Sequence, residues 1–161
     1  MRVIEKIIEQ LYFKQSGNLA LYDQMTGLYN SNWLRHIGYK KYINKECIVT
    51  MIDVNSLKRM NDTKGHVYAD GVLMKLSQQM CMINTVEPDA DIIRYGGDEF
   101  IVISSQDYSI QIESESAGML SAGSYRKSIS EPLTLAIANA DSRMYEHKRE
   151  FYRKQEEKRN G

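Results

Sequence analysis

Arg94-Tyr95-Gly96-Gly97-Asp98-Glu99-Phe100 lies between two apolar runs, Ile92-Ile93 before it and Ile101-Val102-Ile103 after it. Short β-branched runs separated by a Gly-Gly pair predict two antiparallel strands joined by a tight turn. Glycine at both turn positions is expected to admit positive φ and to let a ligand approach the backbone. Successive side chains of an extended segment point to opposite faces, so Asp98 and Glu99 are predicted to leave the turn in different directions, one toward a metal and the other free for a second role. Taken alone, such a hairpin needs no chemistry.

A second acid changes its weight. Cys47 to Ile52 is a nearly unbroken apolar run, the pattern of a central strand covered on both faces, and it delivers Asp53 to its end. By itself Asp53 reads equally well as a turn or cap residue. Paired with Asp98 at an adjacent hairpin it reads as a ligand for a divalent cation, since Mg2+ prefers hard oxygen donors and uses one or two protein carboxylates with phosphate oxygens. Beyond Asp53 the chain passes from strand to helix at Ser56-Leu57-Lys58, where successive main-chain N–H groups and a lysine make an anion-binding nest.

Composition sets bounds. A chain of 161 residues with 42% hydrophobic content forms one ordinary core. Its 21 basic and 21 acidic side chains cancel, so charge gives no reason to expect a nucleic acid polymer or an anionic membrane as partner. Residues 142–161 carry seven Lys/Arg against four Glu. Both readings of that excess stay open: a solvated helix face, or an arm that meets nucleotide phosphates. Cys47 and Cys81 have no metal-ligand spacing and are expected to be buried free thiols. No signal segment opens the sequence and no run of ~18 apolar residues occurs, so the expectation is a cytoplasmic protein without a membrane sensor.

Val3, Ile4, Ile7, Ile8, Leu11 and Tyr12 recur at helical spacing and predict an amphipathic helix over residues 1–20, docked on its own domain or on a second copy. Asn30 or Ser31 is expected to cap a further helix with Trp33, Leu34 and Ile37 on its apolar side. Leu73, Leu76 and Met80 mark the buried face of another. Ser128 and Glu131 have capping-box spacing ahead of a long last helix carrying Leu133, Ile137, Ala140, Met144 and Tyr145. Tyr108, Ile110 and Ile112 alternate with polar residues, which predicts two short strands between residues 104 and 120.

Gly96-Gly97-Asp98-Glu99-Phe100 resembles the signature of the GGDEF family, the catalytic domains of diguanylate cyclases. Three further segments match it in order: Asp23-Gln24-Met25-Thr26-Gly27-Leu28-Tyr29-Asn30; Asp53 to Asp62 with Gly65-His66 and Asp70-Gly71; and Ala140 to Lys148. The resemblance implies an α+β, nucleotide-cyclase or palm-like fold over residues 21–155, a mainly antiparallel central sheet flanked by helices, with a charged tail at 156–161. It implies that the Asp23–Asn30 segment is structural; the two short strands expected at 104–120 depart from it, and one usual helix is expected to be missing there. It also implies a site. Asp53, the Val54 carbonyl and Asp98 would hold Mg2+ or Mn2+; Ser56, Leu57, Lys58 and Lys148 would meet the phosphates of GTP; Asn61 and Asp70 would read guanine; Glu99 would orient or accept a proton. The implied reaction joins two GTP into cyclic di-GMP across a transient homodimer, and a separate sensor or regulatory protein is a further expected partner. With only some 22 residues before Asp23, the unliganded protein is expected to be mostly monomeric. Departures bear on activity. Asn55 stands where a second acid is usual, and would remove one charge beside the metal. Tyr152 stands where an arginine is usual. Glu87 and Ala90 replace the Arg and Asp of the family's product-binding inhibitory motif. The alternative these departures support is a non-catalytic nucleotide-binding regulatory module.

Overall fold

The β-branched runs form one five-stranded sheet. The computed structural model describes residues 21–160, so the expected helix over residues 1–20 lies outside the described residues. Strands β1 (Tyr29–Asn30), β2 (Cys47–Val54), β3 (Asp91–Arg94), β4 (Glu99–Ser104) and β5 (Leu120–Lys127) lie in the order β1-β3-β4-β2-β5. Only the β1–β3 pairing is parallel; β3–β4, β4–β2 and β2–β5 are antiparallel. Every residue of β2 is buried, as an apolar run between two neighbours requires.

Alternation along β2 builds two cores. Cys47, Val49 and Met51 pack with Trp33, Leu34, Ile101, Ile103, Leu133, Ile137 and Ala140 on one face. Ile52 and Val54 pack with Leu73, Leu76, Met80, Phe100, Val102 and Ile112 on the other. The first face is covered by α1 (Ser31–Trp33), a π-helical stretch (Leu34–Gly38), α2 (Tyr39–Lys41) and the long last helix, α7 (Leu133–Asn160). Helices α3 (Leu57–Lys64), α4 (His66–Cys81), α5 (Ile83–Val86) and α6 (Ser109–Glu115) complete the fold. The α4 residues Leu73, Leu76 and Met80, and the α6 residue Ile112, cover the second face. Asn30 is the cap of α1: its side chain accepts from the Asn32 and Trp33 N–H groups. None of the helices among the described residues is long and apolar enough to cross a membrane.

The Asp23–Asn30 segment folds on itself. Asp23 Oδ1 accepts from Thr26 N at 2.9 Å and Thr26 Oγ1 at 2.7 Å, and Arg94 Nη1 bridges both Asp23 oxygens at 3.0 and 3.1 Å. Arg94 Nη2 also donates to the Gly97 carbonyl at 2.7 Å, so one guanidinium ties this segment to the glycine turn. Burial works to raise the Asp23 pKa, but the Thr26 bonds and Arg94 outweigh it and leave the carboxyl below its usual value. A depressed folded-state pKa contributes stability above the unfolded value, and that contribution is lost as pH falls through the folded one. Asp23→Asn is therefore expected to destabilise by about 1–2 kcal/mol at pH 7. The deficit should shrink below about pH 4. Urea denaturation at both pH values checks it, and a pH-independent deficit would mean that charge is not the cause.

Three expectations are corrected. Residues 104–120 hold a helix rather than two strands, so the sheet face is covered. Tyr108 and Ile112 are each 6% exposed and lie four apart on one helical face, while Ile110, whose alternation suggested a strand, is 81% exposed. Asp107 Oδ1 accepts from Ser109 N at 2.9 Å and supports the first turn of α6, and Glu113 Oε1 fixes that helix by accepting from Ala122 N at 2.8 Å and pairing with His147 Nδ1 at 2.7 Å. The turn glycines 96 and 97 do not take positive φ; among described glycines only Gly27, Gly65 and Gly118 do. A Cβ at Gly96 would lie 2.6 Å from Glu99 Oε2, the far end of a flexible side chain, so it would displace that carboxylate rather than the backbone. Cys81, at the end of α4, is exposed; only Cys47 is buried.

Candidate functional site

The predicted acids converge at one end of the sheet because β2 and β4 are in register there. Asp53 pairs with Glu99 across the strands, and Val54 N donates to the Asp98 carbonyl at 3.0 Å, which draws the glycine turn against the end of β2. From the opposite side, α7 brings Lys148 Nζ to 2.5 Å from Asp53 Oδ1. Asp53 is 7% exposed. Burial pushes its carboxyl above the usual range; Lys148 opposes this, and Asp98 and Asp141 reinforce it. Glu99 is raised for the same reasons, burial first and then the charges of Asp53, Asp98 and Asp141. Asp141 lies seven residues before Lys148 in α7 and so shares its face. Asp141 falls within the Ala140–Lys148 segment of the resemblance, where its two-turn spacing from Lys148 is the signal that marks it. A cavity of ≈ 340 Å³ opens beside these acids, lined by Tyr39, Tyr95, Glu99, Thr134, Ile137 and Asp141 among others.

The second wall begins at Ser56. This residue sits at φ 61°, ψ 24°, a left-handed conformation uncommon outside glycine, and its side chain makes no capping bond to α3. The first N–H groups of a helix have no partner within it, so the start of α3 at Leu57 presents donors to solvent. Lys58, in that first turn, is exposed and makes no hydrogen bond or ion pair among the described residues. Asn61 and Asp70 are both half-buried, at the end of α3 and in α4, on either side of the Gly65 turn. Asn61 Oδ1 lies 3.0 Å from His66 Nδ1, leaving its amide N–H groups available.

Asn55 does not act as the sequence suggested. It is 3% exposed, donates through Nδ2 to the Gly118 carbonyl at 3.2 Å, and accepts from Ser121 Oγ at 2.9 Å. An aspartate could not make the first of these bonds. The residue braces the loop before β5 rather than standing as a weakened acid beside a metal. Tyr152, at the position of the usual arginine, accepts from Ser56 N at 3.0 Å.

Residues 20–122 match the family model described as "Diguanylate cyclase, GGDEF domain", about two thirds of the chain. The protein belongs to the GGDEF family. It is 31% identical over 105 residues to diguanylate cyclase DosC of Escherichia coli, an alignment covering 62% of this chain and 22% of DosC. It is 32% identical over 105 residues to the cyclic di-GMP phosphodiesterase NbdA of Pseudomonas aeruginosa, covering 60% of this chain and 13% of NbdA. The GGDEF chain thus spans a minor part of either relative, and its match falls within proteins named for opposite reactions. Among solved structures, diguanylate cyclase SiaD of Pseudomonas aeruginosa, in complex with its activator SiaC, superposes with a TM-score of 0.69 at 20% identity, covering 92% of this chain and 65% of that one. That likeness establishes the fold, a mostly antiparallel palm-like sheet flanked by helices.

Proposed function

We propose that this GGDEF domain is a diguanylate cyclase that condenses two GTP into cyclic di-GMP and two pyrophosphates across a homodimer. The observation that carries the reading is the convergence of Asp53, Asp98, Glu99 and Lys148 beside the exposed start of α3. Asp53, Asp98 and the Val54 carbonyl would hold Mg2+ or Mn2+, whose positive charge would offset that of the phosphates. The donor set suits such an ion. It is all hard oxygen, and the carboxyls of Asp53 and Glu99, raised first by burial and then by the neighbouring acids, are ones whose ionised form a cation would favour. Among the described residues no group of three or more His, Cys, Asp or Glu is placed to hold a metal, so substrate oxygens would have to complete the ion's shell.

The chain's own groups have distinct tasks. Main-chain N–H groups at Ser56 and Leu57 receive the terminal phosphates, and Lys58 and Lys148 stabilise the charge of the leaving pyrophosphate. Asn61 and Asp70 read the guanine edge, the amide offering donor and acceptor and the carboxylate accepting from N1–H and the exocyclic amine. Each 3′-hydroxyl attacks the α-phosphorus of the other nucleotide, the bond to pyrophosphate breaks, and Glu99 takes the hydroxyl proton. Its raised carboxyl makes it a stronger base than an ordinary glutamate. One such site would direct the hydroxyl of its GTP away from the α-phosphate of the same nucleotide, so a second copy related by a two-fold axis would be required.

Purified protein with GTP and Mg2+ or Mn2+ is expected to release pyrophosphate and form cyclic di-GMP. Specific activity should rise with enzyme concentration before saturating, and sedimentation should show mostly monomer that shifts toward dimer with nucleotide and metal. Constant specific activity from a strict monomer would exclude the two-half-site mechanism. A second reading, a nucleotide-binding regulatory module that acts through a separate sensor or regulatory protein, is supported by Tyr152 replacing a cation and by the Lys148–Asp53 pair. Tight GTP binding without turnover under either metal would select it.

A further inference from the structure

Tyr152 lies four residues beyond Lys148 on α7, so both reach the same end of the sheet. The two side chains act differently there. Lys148 pairs with Asp53, whereas the Tyr152 hydroxyl accepts from Ser56 N at 3.0 Å and lies 3.4 Å from Ser56 Oγ. Ser56 N–H belongs to the donor set assigned above to terminal phosphates, and the phenol oxygen stands where an acceptor oxygen of a ligand would stand. The ring is 38% exposed, which leaves it room to turn away. Its neighbour Phe151 packs edge-on to it, with ring centroids 5.4 Å apart, and lies over Gly118, where a Cβ would meet the Phe151 ring at 3.5 Å. The helix is thereby seated on the loop before β5, so release of Ser56 requires only a rotation of the Tyr152 side chain.

We propose that the Tyr152 hydroxyl is a tethered stand-in for a terminal phosphate oxygen, closing the Ser56 nest in the nucleotide-free protein and yielding it to a nucleoside triphosphate. The inference rests on the nucleotide-binding reading of this site. Ser56 holds a left-handed backbone with no capping bond of its own, and the phenol supplies an acceptor for its amide in the absence of ligand. A phosphate oxygen is the better acceptor because it is charged, and bonds of that kind are about twice as strong as neutral ones. Displacement therefore costs the ligand one neutral hydrogen bond. The residue thus lowers affinity only for ligands that reach the nest, and sets a threshold concentration for occupancy.

The test compares wild type with Tyr152→Phe, which keeps the ring and its packing and removes only the acceptor, with melting curves run alongside. Each protein is titrated calorimetrically with guanosine 5′-(β,γ-imido)triphosphate and with GMP, both with Mg2+. The triphosphate should bind about threefold to tenfold more tightly to the variant, the equivalent of one net hydrogen bond, while GMP, which lacks the terminal phosphates, should bind both proteins alike. Equal or weaker triphosphate binding to Tyr152→Phe, with wild type still binding, would overturn the stand-in and leave the nucleotide site standing. The same gain for GMP would place the effect outside the nest and overturn it as well. If neither protein bound the triphosphate, the nucleotide reading and this inference would fall together.

Discussion

Replacing Gly123 by alanine is expected to unfold the protein under conditions in which the wild type is native. A Cβ at this position in β5 would lie 2.1 Å from Met144 N, 2.6 Å from Arg143 C and 2.7 Å from Ala140 O. All three are backbone atoms of α7, so no side-chain rotation relieves the clash, and the helix must retreat by well over an ångström, roughly 1.5 Å, to reach ordinary contact distance. Retreat separates Leu133, Ala136, Ile137, Ala140 and Met144 from the sheet face they cover. Overpacking usually costs about 1–3 kcal/mol, and with only backbone to give way the loss should exceed ~3 kcal/mol. The site goes with it, because Lys148 and Tyr152 are carried one and two turns beyond Met144. Gly71→Ala is the control: a Cβ there meets nothing within 4 Å and the residue lies inside α4, so that variant should be neutral or slightly more stable. Comparable urea midpoints for Gly123→Ala and wild type would show that α7 does not depend on this close approach.

The second large effect separates chemistry from fold. Asp53→Asn and Asp98→Ala are each expected to lower turnover by at least ~10²-fold, since each would remove a ligand of the proposed metal and Asp53 also pairs with Lys148. Folding should survive. Asp98 lies half-buried in a turn, and its backbone carbonyl, which receives Val54 N, remains in the variant. For Asp53 the sign follows from its raised carboxyl. A group whose folded pKa exceeds its unfolded value contributes stability below the unfolded value, and loses it as pH rises through the folded one. Above the folded value the ionised carboxylate is a net cost, and there Asp53→Asn should melt no lower than wild type. Adding Mn2+ should raise the wild-type melting temperature and leave that of Asp53→Asn unchanged. Near wild-type turnover in both variants would reduce these carboxylates to turn residues.

The resemblance to the GGDEF family rested on short stretches whose local pattern is decisive. An unbroken apolar run from Cys47 to Ile52 has only one comfortable place, the middle of a sheet, and the Gly-Gly turn between β-branched runs has only one simple geometry. The register itself came from the structure, where β2 and β4 pair so that Asp53 lies beside Glu99. Residues 104–120 misled because Ile110 and Ile112 fit a period of two, whereas the contacts that matter join Tyr108 to Ile112. Whether a seven-residue segment becomes strand or helix was settled by what it could cover and by Asp107 supporting its first turn.

Other features belonged to the tertiary structure alone. Asn55 read as a lost charge until its amide was seen bound to Gly118 and Ser121, more than sixty residues away. Tyr152 read as a lost cation, and no local pattern predicts that its hydroxyl meets the Ser56 amide across a separation of 96 residues. Lys127, 0% exposed with its ammonium donating to the Lys45 and Ser128 carbonyls, was equally invisible. The sequence by itself determined the three strands β2, β3 and β4 and the acids at their ends, because side-chain period and turn chemistry act over a few residues. Only the tertiary structure decided which groups those acids meet, because that depends on the path of α7, and the path is set by how closely its backbone approaches Gly123.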